Sequence, residues 1–306
     1  MEPAVFNYFK EYFTRLHFRE QNKLLDLINS LYSVNALDDL EGKLEFSTIL
    51  PTNQESDLRI GLFKLYPSNF SAIISFFRQN RYDTETIEKS LRYMEKFAPE
   101  FGLGIDFNRR TPRLKLYFLR LPDSPLFKKE GLSKVQGLSK LCGINGRNLA
   151  SLSKEDCYLI GVDYHKNTTI DLKMYLRTVN MDFSKINHDL KKTIGASSYF
   201  DSIVALFSEE DFRDVTYSYK YSNRTDDLIG FSIFFEVNPD LNTKIRTWIA
   251  TCLPHEADEF DDLANSLTLN RRPITYSHIG LTCMLNSHSE KISLYYSPSY
   301  SRGLIA

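Results

Sequence analysis

Four basic residues recur at nearly regular intervals along the 306-residue chain. They are Arg59, Lys115, Lys173 and Lys291, and their separations are 56, 58 and 118 residues, the last spanning two repeats. Each lies next to apolar residues in a run that alternates with a period of two, which predicts a strand with one buried face. Because buried cations need partners, four cations on a common face predict an anion with two or more charges.

Tyrosines follow the lysines on the same face of each predicted strand. Tyr117 and Tyr175 each lie two residues after a lysine, and Tyr295 lies four residues after its own. Their hydroxyl groups can donate hydrogen bonds, and an aromatic ring stabilises a nearby cation by about 0.5–2 kcal/mol. A site with cations for a diphosphate and rings for a carbocation suits the ionisation of an allylic diphosphate.

The strands that would position these residues occur as five hairpins. The paired runs are 43–50 with 58–67, 101–108 with 113–122, 157–165 with 169–178, 214–222 with 228–237, and 278–285 with 291–298. Polar residues typical of turns separate the runs, namely Asn53, Asn108, Asn167, Asn223 and Asn286. Hairpin starts about 57 residues apart predict an internal repeat.

Helix-like segments precede and separate the hairpins. They cover residues 5–33, 68–81, 83–98, 185–195, 197–212, 241–252 and 257–269, and Ser68 and Asp83 are the expected N-caps of the second and third. Ten sequentially paired strands with helices on one face predict an α+β fold in a single domain, 1–306. We expect a closed ten-stranded antiparallel β-barrel of five αββα repeats, with the helices outside and the polar strand positions in the lumen.

The fourth repeat departs from this pattern. Leu228 and Gly230 stand where a cation is expected, and the preceding strand instead offers Lys220 and Ser218 on the inward face. The tyrosines of that strand would then face outward; they are Tyr217, Tyr219 and Tyr221.

These motifs resemble the ABBA-type aromatic prenyltransferases and, within that family, the hapalindole-type indole alkaloid prenyltransferase branch. The resemblance rests on "LKLYF" (114–118), "LKMYL" (172–176) and "KISLYY" (291–296), and it covers about residues 40 to 300. It implies a barrel with the active site inside and an enzyme of secondary metabolism. The implied substrates are dimethylallyl or geranyl diphosphate and an aromatic acceptor, an indole in the hapalindole-type branch.

The resemblance also implies a role for each candidate residue. The diphosphate would be held by Arg59, Lys115, Lys173, Lys220 and Lys291. The allyl cation and the substrate would contact Tyr117, Tyr175, Tyr295 and Ser218. Glu45 in "KLEFS" would accept the indole N–H. No cofactor is required in this interpretation, and Mg²⁺ is a candidate modulator.

Composition excludes several other classes of protein. A net charge of −1 gives no electrostatic argument for nucleic acid or for an anionic membrane. The four cysteines lack metal-ligand spacing, and the charged N-terminus lacks the apolar segment of a secretory signal. No apolar run is long enough to span a membrane. We expect a cytoplasmic monomer or weak homodimer.

Two other functions fit the same predicted barrel. A non-enzymatic carrier of an isoprenoid or anionic lipid would share the polar lumen without needing the tyrosines. A prenyl diphosphate hydrolase would use carboxylates for metal and water, and Asp106, Asp163 and Asp171 are candidates. The "FDDLAN" segment (260–265) lacks the third carboxylate of an aspartate-rich magnesium motif and predicts a solvated helix face.

Overall fold

A computed structural model describes most of the chain. The described residues are 10, 21–32, 43–50, 57–98, 100–107, 113–119, 125–145, 157–178, 181–225, 227–238, 240–254, 274–285 and 289–298. The predicted helix 257–269, with its "FDDLAN" segment, lies outside these residues. So do the predicted turns at Asn53, Asn108 and Asn286.

Ten strands form one closed antiparallel barrel, as the sequence predicts. They are β1 (Leu44–Leu50), β2 (Asp57–Leu65), β3 (Glu100–Phe107), β4 (Arg113–Leu119), β5 (Cys157–Tyr164), β6 (Ile170–Thr178), β7 (Phe212–Ser222), β8 (Leu228–Val237), β9 (Ile274–Met284) and β10 (Ser289–Pro298). Each strand pairs with its sequence neighbours, and β1 pairs with β10 to close the barrel. Closure removes the sheet edges and creates an enclosed lumen.

Helices lie between the hairpins in the described part of the chain. They are α1 (Gln21–Tyr32), α2 (Phe70–Gln79), α3 (Thr84–Met94), α4 (Pro125–Leu141), α5 (Phe183–Thr193), α6 (Ser198–Leu206) and α7 (Asn242–Cys252). None of the helices among the described residues is long and apolar enough to cross a membrane.

The hydrophobic core lies between the helices and the outer face of the barrel. Phe70 of α2 packs edge-on against Phe101 of β3, with ring centroids 4.9 Å apart. Trp248 of α7 is fully buried, contacts Phe207 and donates its indole N–H to Ser202 Oγ at 3.0 Å. The strand residues that alternate with this core therefore point into the lumen.

The structure corrects several predicted boundaries. The segment 197–212 is shorter as a helix, because α6 ends at Leu206 and a 3₁₀ turn, Glu209–Asp211, leads into β7. Strand β9 begins at Ile274 rather than at 278. Ser68 is not an N-cap: a 3₁₀ turn, Pro67–Asn69, precedes α2, and the Asn69 side chain accepts from the Tyr66 N–H.

Helix α4 was not predicted from the sequence. Its segment, "PLFKKEGLSKVQGLSKL", contains Gly131 and Gly137, and each glycine in a helix interior costs about 0.5–1 kcal/mol relative to alanine. The helix packs its buried residues, such as Val135 and Leu138, into the core. Tertiary packing therefore outweighs weak local propensity in this segment.

The predicted turn residue Asn223 links two hairpins at one end of the barrel. Its Oδ1 accepts from the Ile170 N–H at 3.0 Å, and its Nδ2 donates to the Thr168 carbonyl at 3.2 Å. These bonds fix the β5–β6 turn, which carries Asn167, against the end of β7. The inward cations of β6 and β7 lie close to this end.

The predicted N-cap at Asp83 gives a direct test of the local assignments. Its carboxylate accepts from the Glu85 N–H at 3.0 Å, so Asp83→Ala should lower the free energy of unfolding by about 1 kcal/mol. Urea denaturation followed by the fluorescence of Trp248, the chain's single tryptophan, measures this. Lys96→Ala, an exposed change beyond the same helix, is the control. If Asp83→Ala and Lys96→Ala had the same free energy of unfolding, the Asp83 side chain would not stabilise the helix as an N-cap.

Candidate active site

The lumen contains a cavity of about 190 Å³ near the turn end of the hairpins. Its lining includes six cations, namely Arg59, Arg113, Lys115, Lys173, Lys220 and Lys291. Two carboxylates, those of Asp106 and Asp163, also line it. The cavity wall therefore carries an excess of positive charge, although the whole chain is nearly neutral.

Strand register explains why residues so distant in sequence converge. Lys173 on β6 pairs directly with Lys220 on β7, and Lys115 on β4 pairs with Asp163 on β5. Directly paired residues in antiparallel strands have Cβ atoms about 4.5–5.5 Å apart. Residues that recur about every 57 positions in the sequence therefore lie at similar heights on different strands, and their charges surround the lumen.

Three of these cations, Arg59, Lys115 and Lys220, contact carboxylates inside the barrel. Arg59 forms a two-point ion pair with Asp106, which includes a bond from Nη2 to Oδ2 of 2.9 Å. Lys115 Nζ lies 2.8 Å from Asp163 Oδ1. Burial alone would raise the pKa of the Asp106 carboxyl, but the charge of Arg59 lowers it below its usual range.

A third carboxylate, that of Asp171, extends this network toward the turn between β5 and β6. Lys220 Nζ lies 2.8 Å from Asp171 Oδ2, and His165 Nε2 lies 3.0 Å from the same oxygen. Burial would raise the pKa of Asp171, but its bonds with His165 and Lys220 hold the pKa below its usual range. His165 therefore contacts the charged network rather than an apolar core.

Lys173 differs from the other buried cations. Within the part of the chain that the structure describes, it has no carboxylate partner. Its ammonium lies over two rings, 5.3 Å from the centroid of Tyr175 and 4.9 Å from that of Phe234. Burial, together with the charge of Arg59, lowers its pKa well below the usual lysine value.

An aromatic cluster adjoins the cations deeper in the barrel. Tyr117 packs on Phe63 with ring centroids 5.6 Å apart, and Phe234 packs on Tyr175 and Tyr295 at 5.6 and 5.7 Å. Burial raises the pKa of Tyr295 to about 12, so its hydroxyl stays neutral and can donate a hydrogen bond. The cluster thus offers both ring faces and hydroxyl groups to the lumen.

Glycines on the inward face give these rings their space. A Cβ at Gly104 would lie 2.9 Å from Tyr117 Cε2, and one at Gly280 would lie 3.0 Å from the ring of Phe234. Both distances are too short for an ordinary contact. Glycine at these positions therefore lets the rings lie directly against the backbone.

Glu45 lies inside the barrel on β1, at the inward parity that the sequence predicts. Its Oε2 accepts a hydrogen bond from Ser277 Oγ at 3.3 Å. Burial raises the pKa of Glu45 to about 7, although this bond and the charge of Arg59 act in the opposite direction. The carboxyl group can therefore hold or release a proton near neutral pH.

The structure brings all ten predicted site residues into one lumen. The predicted cations and Tyr295 line the cavity, with Lys291 at its exposed edge. Tyr117 and Tyr175 belong to the aromatic cluster. Ser218 is fully buried beside Tyr175, and its hydroxyl has no hydrogen-bond partner among the described residues. The outward tyrosines of β7 pack against the outer core, as predicted.

Sequence reasoning missed three residues that contribute to the lumen. Arg113 lies two residues before Lys115 and shares its face, so parity could have found it. Phe63 likewise shares the face of Arg59. Phe234 lies in a strand with apolar residues on both faces, so alternation gave no signal there.

Comparison with known proteins identifies the fold. No family model matches the sequence, and no curated protein matches it. Among solved structures, 5-dimethylallyltryptophan synthase from Streptomyces coelicolor superposes with a TM-score of 0.72 at 13% identity, covering 96% of each chain. 6-Dimethylallyltryptophan synthase from Micromonospora olivasterospora, solved in complex with DMASPP and Trp, gives 0.71 at 16% identity, covering 96% of each chain.

A third structure agrees with these two. NotF prenyltransferase superposes with a TM-score of 0.66 at 14% identity, covering 95% of this chain and 92% of its own. At such identities the likeness concerns the fold. This chain therefore has the ABBA prenyltransferase fold, the barrel of αββα repeats that its sequence predicts.

Proposed function

We propose that this protein is an aromatic prenyltransferase of secondary metabolism. It transfers a dimethylallyl or geranyl group from its diphosphate to an aromatic carbon, with an indole as the acceptor. The observation that supports this proposal most strongly is that an excess of cations lies next to an aromatic cluster in one enclosed lumen.

The geometry suits each part of an electrophilic substitution. Arg59 and the lumen lysines stabilise the diphosphate as the allylic C–O bond breaks and its electron pair leaves with the oxygen. The rings of Tyr117 and Tyr175 shield the allyl cation from water. Ammonium groups already lie over these rings, since Lys115 Nζ is 5.5 Å from the centroid of Tyr117. The acceptor ring then forms the C–C bond and loses its proton.

Glu45 is the proposed partner of the acceptor. An indole N–H becomes more acidic as its ring attacks a cation, and a carboxylate can accept that hydrogen bond. The charge of Arg59 lowers the pKa of Glu45, and the Glu45 carboxylate raises the pKa of Tyr295, which supports a position for Glu45 beside the cation site. The similar structures solved with DMASPP and Trp support an indole acceptor for this chain.

The lumen carboxylates favour transfer over hydrolysis. A metal-dependent hydrolase needs carboxylates that are free to bind a metal ion. Here Asp106, Asp163 and Asp171 each contact a cationic side chain. The aromatic cluster also exceeds the needs of a carrier that only binds an anionic lipid.

A product assay tests the proposed function. The protein is incubated with dimethylallyl or geranyl diphosphate and a panel of indoles and phenols, with and without EDTA, and products are identified by mass. We expect a prenylated indole in both conditions. Free diphosphate without a prenylated product would indicate a hydrolase, and tight binding without turnover would indicate a carrier.

Removal of single lumen lysines should slow the reaction. Lys115→Ala and Lys173→Ala should each lower kcat/KM by at least about tenfold, equivalent to ~1.4 kcal/mol of transition-state stabilisation. Lys192→Ala, which removes an exposed lysine of α5, is the matched control. Thermal melts should show that all three variants fold. If Lys115→Ala and Lys173→Ala had the kcat/KM of the control, these lysines would not bind the diphosphate.

Diphosphate binding should take up protons at pH values below the usual lysine pKa. Burial and the charge of Arg59 lower the pKa of both Lys115 and Lys173 in the empty site. A bound anion favours the charged forms and raises these pKa values again. Affinity should therefore fall as pH rises.

Calorimetry with a non-reactive prenyl thiolodiphosphate, in buffers of different ionisation enthalpy, measures the proton uptake. Lys173→Ala should reduce the number of protons taken up. A binding enthalpy that does not depend on the buffer would show that the lysines are fully charged beforehand.

Glu45 should control the pH dependence of indole prenylation. Because its pKa is about 7 and its carboxylate is the useful form, kcat/KM for an indole should rise with pH through this range. Glu45→Gln should remove this rise and lower kcat, but it should still bind the prenyl diphosphate. A mutant with the kcat and pH profile of the wild type on every indole would show that Glu45 does not assist the acceptor.

A further inference from the structure

Asp163 lies between two of the lumen lysines. Its Oδ1 is 2.8 Å from Lys115 Nζ, and its Oδ2 is 3.4 Å from Lys220 Nζ. On β5 it pairs directly with Lys115 of β4 on one side and with Asp171 of β6 on the other. The side chains of Lys115, Asp163 and Lys220 all line the cavity.

We propose that Asp163 is an internal counter-anion that the diphosphate displaces. In the empty barrel its carboxylate offsets the charge of Lys115 and shares Lys220 with Asp171. When a diphosphate enters, its oxygens take over both ammonium groups, and when the product diphosphate leaves, Asp163 returns to them. This inference rests on the proposed function, because it assumes that the cavity binds a diphosphate.

The charge distribution of the cavity makes such a partner necessary. Lys115 and Lys220 are surrounded by further cations, including Arg59 and Lys173, whose charges act on Lys115. Buried cations that repel one another need a negative partner while the site is empty. A carboxylate supplies one negative charge, whereas a diphosphate supplies several in the same place. The diphosphate therefore binds the lysines more strongly and displaces the carboxylate.

Among the three lumen aspartates, Asp163 is the one most weakly held. Asp106 makes a two-point pair with Arg59. Asp171 is bound by His165 as well as by Lys220. The contacts of Asp163 are with the two lysines alone within the described part of the chain, and one of them is long at 3.4 Å. Its displacement therefore disrupts the fewest other bonds.

The exchange has a consequence for turnover. Without Asp163 to compete for Lys115 and Lys220, the cavity would retain the product diphosphate more tightly, and its release would limit kcat. A carboxylate that competes for the same lysines weakens the binding of the free diphosphate and speeds its departure. Asp163 is thus a residue that sets the balance between binding and release, and it need not touch the reacting carbon.

Calorimetric titration with inorganic diphosphate tests the proposal. Asp163→Asn keeps the shape of the side chain and removes its charge, so the Kd for diphosphate should fall by about tenfold or more. Asp201→Asn, on the exposed face of α6, adds the same charge outside the barrel and should leave Kd unchanged. In transfer assays, the Asp163 variant should show a product burst followed by a slower steady rate.

Each outcome separates the two proposals. If the wild type does not bind diphosphate, the proposed function fails and the counter-anion fails with it. If the wild type binds diphosphate but Asp163→Asn binds it equally or more weakly, Asp163 only positions the lysines and the counter-anion is overturned. Thermal melts check that the variant folds, and Asp163→Ser, which also removes the charge, replaces it if it does not.

Discussion

Repulsion among cations in an enclosed space is the constraint on which this structure depends. Lys115, Lys173 and Arg59 are held inside the barrel, and burial disfavours their charged forms. Such an arrangement is stable only with anions present. The chain supplies some of them as aspartates, and the remaining excess of positive charge is the basis on which we propose that the lumen binds a diphosphate.

The barrel makes this arrangement rigid. Closure of β1 onto β10 leaves no sheet edge, so the lumen side chains are positioned by strand register rather than by loops. Glycines such as Gly104 let aromatic rings lie against the backbone, which brings ring faces and ammonium groups together. Under the proposed function, such a site holds the diphosphate and the allyl cation side by side without moving the backbone.

Much of the fold and of the candidate site follows from the sequence. Alternation in "LKLYF" and "LKMYL" predicts both the strands and the inward direction of their lysines and tyrosines, because the period of two is a local property of the chain. The repeat of about 57 residues predicts the barrel, and the closed ten-stranded sheet confirms it. The fourth repeat lacks a cation on its second strand, where Gly230 stands instead. Gly230 pairs with Lys220 of the neighbouring strand β7, so the cation of this repeat comes from β7 rather than from β8.

Other features depend on contacts that no local pattern contains. Helix α4 has weak intrinsic propensity and forms because its apolar residues reach the core. The pairing of Asp163 with Lys115 and Lys220 depends on the register of three separate strands. Phe234 points inward from a strand that is apolar on both faces, and only its neighbours on β6 and β10 show which side it occupies.

The most direct test of this account is a crystal structure with a non-reactive dimethylallyl thiolodiphosphate. The account predicts the diphosphate within hydrogen-bond distance of Arg59, Lys173 and Lys291, and the prenyl chain against the rings of Tyr117 and Tyr175. A ligand bound outside the barrel, or one inside it with its diphosphate away from these cations, would contradict the central claim.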